Sequence, residues 1–117
     1  MVRKVIYWLT TGFLGVMGLF AGFTYLMASQ EAVTGFAHVG YPQQLRVLLG
    51  IAKPLGAIAL LMPGWPRLKE WAYAGFTFAW SAAVVAHYLA DGPAAALPPF
   101  VFLVVLAVSY VTRPAGR

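Results

Sequence analysis

Cysteine is absent from this chain of 117 residues, and charge is scarce: 9% of the residues are Asp, Glu, Lys or Arg, and only three of those are acids. Without a thiol there is no disulfide, no thiolate nucleophile, no iron–sulfur ligation and no zinc–cysteine site. If the chain takes part in redox chemistry, another molecule carries the electrons. Its two histidines, His38 and His87, lack a metal-ligand spacing, so no metal site and no intrinsic cofactor is expected. What the chain has in abundance is apolar surface, with 62% hydrophobic residues, too many for the surface of a soluble globule of this length. The composition is that of an integral membrane protein, with the lipid bilayer as its first partner.

The formal charge of +5 does not indicate nucleic acid, because the basic residues lie between apolar segments rather than in a patch with interleaved aromatics. A bilayer core needs about 20 residues of helix, and four stretches approach or exceed that length: 5–28, 45–62, 68–89 and 95–112. The expected fold is all-α, a single domain over 1–117 built as an integral membrane four-helix bundle. The first stretch follows Arg3-Lys4 and imitates a signal peptide, but it is long for one and Tyr25-Leu26-Met27-Ala28-Ser29 has no clean small-x-small cleavage site, so it is expected to be retained. An inward N-terminus puts Arg3, Lys4, Arg67, Lys69, Arg113 and Arg117 on the inner side and Arg46 alone outside. Both termini are therefore expected in the cytoplasm, with 29–44 and the turn at Asp91-Gly92-Pro93 outside. Pro63-Gly64-Trp65-Pro66 predicts a tight antiparallel hairpin between the second and third segments.

Membrane helices associate through small residues. Gly15, Gly18 and Gly22 in the first segment and Ala72, Gly75, Ala79, Ala82 or Ala83, and Ala86 in the third are the expected contact faces, serving packing within the chain before dimerisation. The opposite face of the third segment is polar, with Glu70, Thr77, Val84 and Asp91 recurring every seven residues beside Tyr73, Ser81 and Tyr88. Trp80 is the tryptophan that falls in mid-span, and it is expected to line the core or a ligand cavity. The fourth segment is apolar all round, is expected to face lipid and carries no predicted chemistry.

Lys53 is the principal functional candidate. A charge in hydrocarbon is costly and commonly faces a cavity or an opposite charge. Pro54 follows it and leaves the Gly50 carbonyl without its helical donor. Arg46, Gly50, Lys53 and Ala57 share a narrow face with room beside the ammonium. By depth, Lys53 falls level with Ser81, and Glu70 lies roughly 16 Å deeper at 1.5 Å per residue. A snorkelling ammonium has Glu31, Asp91, His38 and His87 as candidate partners. The loop containing Glu31 and His38 is apolar and aromatic, and it is expected to close the bundle mouth as a lid, placing Glu31 over Lys53. The competing reading is an internal ion pair or a snorkelling lysine with no ligand.

The order Gly40-Tyr41-Pro42, then Leu49-Gly50-Ile51-Ala52-Lys53-Pro54-Leu55-Gly56-Ala57, then Leu68-Lys69-Glu70-Trp71-Ala72-Tyr73-Ala74-Gly75, with His87 closing the third segment, resembles the DoxX-like family of small four-helix membrane proteins. The resemblance implies a multi-pass protein of a bacterial inner membrane. The broader group includes subunits associated with thiosulfate:quinone oxidation, partners in oxidative-stress complexes and a distant branch of receptor-assembly chaperones. Many of its members carry an acid where Lys53 stands here. By this resemblance the chain is expected to be a non-enzymatic accessory or anchor subunit of a membrane redox or stress-response complex. The alternative is an enzyme or binding protein for a quinone-, sterol- or terpenoid-like molecule, with Lys53, Tyr73, Trp80, Ser81 and His87 around the pocket, Thr77 on the same polar face, and quinone or lipid as the bound species. A four-helix exporter of cations is disfavoured because the first segment has no carboxylate.

Overall fold

The computed structural model describes residues 1–115; Arg117, counted above among the inner-side cations, lies outside the described residues. Among the described residues the chain is all-α, with five helices: α1 (Val2–Leu26), α2 (Gln30–His38), α3 (Gln43–Leu61), α4 (Pro66–Asp91) and α5 (Pro93–Val111). Four are the expected long segments, each within a few residues of its predicted bounds. The fifth, α2, lies in the stretch 29–44 that was expected to be loop. Its start has a local cause: the Ser29 side chain accepts from the Ala32 N–H at 3.2 Å and satisfies one of the unpaired donors of a first helical turn.

Turn chemistry sets the other boundaries. Pro66 and Pro93 each occupy the first turn of a helix, where a missing N–H costs nothing, and Gly92, at φ 91°, supplies the left-handed residue between α4 and α5. The hairpin between α3 and α4 turns on Gly64 at φ 75° and Trp65 at φ 52°, in consecutive left-handed conformations. Lys69 closes this turn. Its side chain is fully buried, and Nζ donates to the carbonyls of Met62 and Gly64 at the end of α3. That cation therefore caps a helix C-terminus, where backbone carbonyls need donors.

The long helices pack in a closed circuit, α1 on α3, α3 on α4, α4 on α5 and α5 on α1, with α2 laid against α3 and α1 at one end. Leu14, Leu60, Tyr73, Phe76, Trp80 and Leu106 form the core. The greatest extent, 42 Å, exceeds a hydrocarbon core of about 30 Å. By length and composition α1, α3 and α5 are each able to cross a membrane. Aromatic, hydroxyl and histidine side chains dilute the apolar character of α4, which is not among them.

The glycines of α1 form the close approach expected of them. A Cβ on Gly22 would lie 1.9 Å from Pro54 Cγ, one on Gly18 2.9 Å from the Ala57 Cβ, and one on Gly15 2.6 Å from a Leu61 methyl. The small stripe of α4 behaves differently from expectation: nothing lies within 4 Å of a Cβ added to Gly75, and Ala72, Gly75 and Ala79 line a groove against α3 instead of a packed seam. Two substitutions separate these roles. Gly22→Ala is expected to destabilise by about 1–3 kcal/mol through overpacking against the Pro54 ring, whereas Gly75→Ala is expected to be neutral or to stabilise by up to about 1 kcal/mol through helix propensity. Thermal unfolding of the purified variants in detergent measures both.

Candidate functional site

Lys53 reaches the interior from the middle of α3. Its Nζ donates to the Tyr25 hydroxyl at 3.3 Å and lies 5.1 Å from the Tyr25 ring centroid and 5.9 Å from that of Trp80, within the range of cation–π attraction. The proximity of Trp80 agrees with the depth inferred from helix rise. Tyr25 is itself held at the C-terminal end of α1 by an edge-to-face contact with Phe36 of α2, 5.0 Å between centroids, and its backbone carbonyl accepts from Arg46. Helix α2 therefore acts on Lys53 indirectly, through Tyr25.

Among the described residues no carboxylate forms an ion pair with Lys53. The chain has three acids, and their positions account for this. Asp91 pairs with His38 at 2.8 Å across the outer surface, both side chains being substantially exposed. Glu70 accepts from Arg113 at 2.7 Å and from the Tyr110 hydroxyl at the opposite end of the molecule. Glu31 lines an open surface hollow with Ser29, Thr34 and His38, away from Lys53. The expected placement of Glu31 over the lysine, and of His38 and Asp91 as its partners, is thus corrected: the stretch is laid against α1 and α3, as a lid would be, but as a capped helix that buries Phe36 while Glu31 lines the surface hollow and His38 pairs with Asp91.

What surrounds Lys53 is a cavity of ≈ 320 Å³ among four helices. Its walls are Met17, Gly18, Ala21, Thr24 and Tyr25 from α1, Trp80, Ala83 and His87 from α4, and Pro98, Pro99 and Phe102 from α5. Trp80 is fixed by stacking between Phe76 and Phe102, with centroids 4.8 and 5.1 Å away. Three of the predicted residues, Lys53, Trp80 and His87, meet at this cavity. Ser81 is not among its lining residues, and Tyr73 and Thr77 border a different hollow with Glu70 and Tyr110. Thr77 donates to the Tyr73 carbonyl at 2.7 Å, a hydrogen bond within its own helix.

Tyr73 belongs to a buried polar junction that sequence reasoning missed. The Ser109 hydroxyl lies 2.7 Å from Thr11 Oγ1 and 2.8 Å from the Tyr73 hydroxyl, joining α5, α1 and α4, with Thr11 and Ser109 fully buried. One turn further out, Arg113 pairs with Glu70 and lies over the Tyr110 ring at 4.6 Å. Burial disfavours the Arg113 cation, but the hydrogen bond and charge of Glu70 outweigh it, and the net effect raises its pKa. The fourth apolar segment does present an exposed apolar face, through Leu97, Phe100, Val101 and Val104, but it is not apolar all round: Ser109 and the following Arg113 tie it down at one end, and Pro98 and Pro99 shape the cavity at the other. The proline pair was a visible clue, since each removes a helical donor in the first turns of α5. The partnership of Tyr25 with Lys53, 28 residues apart, had no such clue.

These features define an all-α membrane protein with a cation at a partly open cavity among its helices. The DoxX-like family model matches residues 9–109, and the chain belongs to that family. No curated protein and no solved structure matches it. The polar junction yields a direct test: Ser109→Ala removes the group bonded by both Thr11 and Tyr73 and is expected to cost about 1–2 kcal/mol, less than an equally buried triad in a water-soluble core. Unfolding of the variant in detergent is the measurement.

Proposed function

We propose that this DoxX-like protein binds a lipophilic small molecule from the bilayer, with the polar head of that molecule against Lys53 in the cavity among α1, α3, α4 and α5. One observation carries the reading: an ammonium faces a cavity with aromatic walls and no carboxylate of the chain. Since a cation is retained in such surroundings only with compensation, an electron-rich group supplied by a ligand is the natural partner. An oxygen acceptor on the head of such a compound, of the kind that a quinone-, sterol- or terpenoid-like molecule also carries, accepts from Nζ beside the mutually stacked rings of Trp80 and Phe102, and His87 lines the same cavity. The volume is at the lower end of small-molecule sites, so the cavity suits a head rather than a whole ligand.

The same reading includes four membrane spans, α4 being the fourth, with both chain ends in the cytoplasm of a bacterial cell. Three observations support it: α1, α3 and α5 are long and apolar, α4 lies alongside α3 and α5, and Arg3 donates to the Val111 carbonyl at 3.0 Å, which puts the start of α1 beside the end of α5. Because the chain has no cysteine of its own, a redox or stress-response complex that recruited it as an accessory subunit would have to supply the electron carriers.

Mass spectrometry of the protein released from mild detergent tests the binding. A copurifying lipophilic molecule is expected on the native chain and is expected to fall by about tenfold or more in Lys53→Met, which loses a charge-assisted hydrogen bond. Equal retention by the variant would remove the reading. Topology is tested separately, by single cysteines introduced at Gln30 and at Arg67. A membrane-impermeant maleimide is expected to label the first in intact cells and the second only after lysis.

A further inference from the structure

We infer that the molecule held at Lys53 is a single-chain amphiphile with an acidic headgroup, and that its chain lies in the groove between α3 and α4. This rests on the proposed function and adds the ligand's class and the path of its tail. A groove of ≈ 500 Å³ runs between the two helices, and Lys53 is common to its lining and to that of the cavity. The Lys53 side chain is therefore the link between the two spaces, with its Nζ beside Tyr25 and Trp80. From Ala79, near the lysine, to Leu68, near the hairpin, the groove follows α4 for roughly 16 Å at 1.5 Å per residue.

The lining suits hydrocarbon and little else. Gly75 and Ala79 leave a floor with no side chain larger than a methyl, a Cβ on Gly75 meeting nothing within 4 Å, while Trp65 and Trp71 stand at the hairpin end. Lys53 is the groove's charged lining residue. The space is comparable with one long acyl chain and falls well short of a two-chain phospholipid. Charge complementarity selects the head: with Asp91 and Glu70 engaged elsewhere and Glu31 on the outer surface, a carboxylate brought by the ligand supplies the counter-charge the chain lacks. A sterol's rigid ring system would leave the length of the groove unfilled, and a neutral quinone head would leave the charge unmatched.

The probes are palmitate, its uncharged analogue hexadecanol, and octanoate, bound to the purified full-length chain in nanodiscs and quantified at equilibrium. Palmitate is expected to bind about tenfold more tightly than hexadecanol, a preference that Lys53→Met abolishes. Gly75→Leu fills the groove at a position with open space, and it is expected to collapse the advantage of palmitate over octanoate while the preference for charge persists. Ala79→Leu repeats the test at a second position, and elution of each variant as one monodisperse species establishes folding. If hexadecanol binds as well as palmitate, the acidic head is wrong. If both leucine variants keep the full chain-length advantage, the groove is wrong, and the proposed function still stands provided Lys53→Met loses its copurifying molecule. If Lys53→Met changes neither, both readings fall together.

Discussion

The ammonium of Lys53, partly buried in mid-helix and, unlike the buried Lys69, not spent on capping a helix end, governs how the surrounding helices have to be arranged. Moving a charge from water into hydrocarbon costs several kcal/mol even after relaxation, so the fold must either bring an acid to Lys53 or surround it with weaker partners and space. The chain takes the second course. Its three acids are committed to the two ends or to the outer surface, and Lys53 receives the Tyr25 hydroxyl, two aromatic faces and a cavity. None of these neutralises it.

The helices around the lysine are placed by features that have nothing to do with charge. Glycines at 15, 18 and 22 let α1 approach α3 closely enough for Tyr25 to reach Nζ, and the Pro54 ring fills the space that Gly22 leaves. The stack of Phe76, Trp80 and Phe102 ties α4 to α5 beside it. At the end of the bundle where α1 begins and α5 ends, Ser109 bonds to both Thr11 and Tyr73, and Glu70 to Arg113. Polar fastening and the candidate site are thus separated along the helices.

Much of the scaffold was legible in the sequence because it depends on local rules. Apolar length marked the four long helices, proline and glycine marked both tight turns, and helix rise alone put Lys53 near residue 81, close to the Trp80 found beside it. What was not legible depends on side chains meeting across the fold. The stretch read as a lid is a short helix, capped by Ser29 and seated by Phe36 on Tyr25, and that seating leaves Glu31 on a surface hollow. Ser109 is one small polar residue in a long apolar run, and nothing in its spacing shows that Thr11 and Tyr73 converge on it. The small residues of α4 were legible as a stripe, but a stripe does not say whether a helix or a groove lies against it.

The central claim is that the partner of Lys53 comes from outside the chain. An experimental map of the protein in lipid nanodiscs tests it most directly, through what stands next to Nζ. The account predicts non-protein density at hydrogen-bonding distance from the ammonium, continuing between α3 and α4. A Glu31 carboxylate in that position, with the cavity and groove closed around it, would contradict the account.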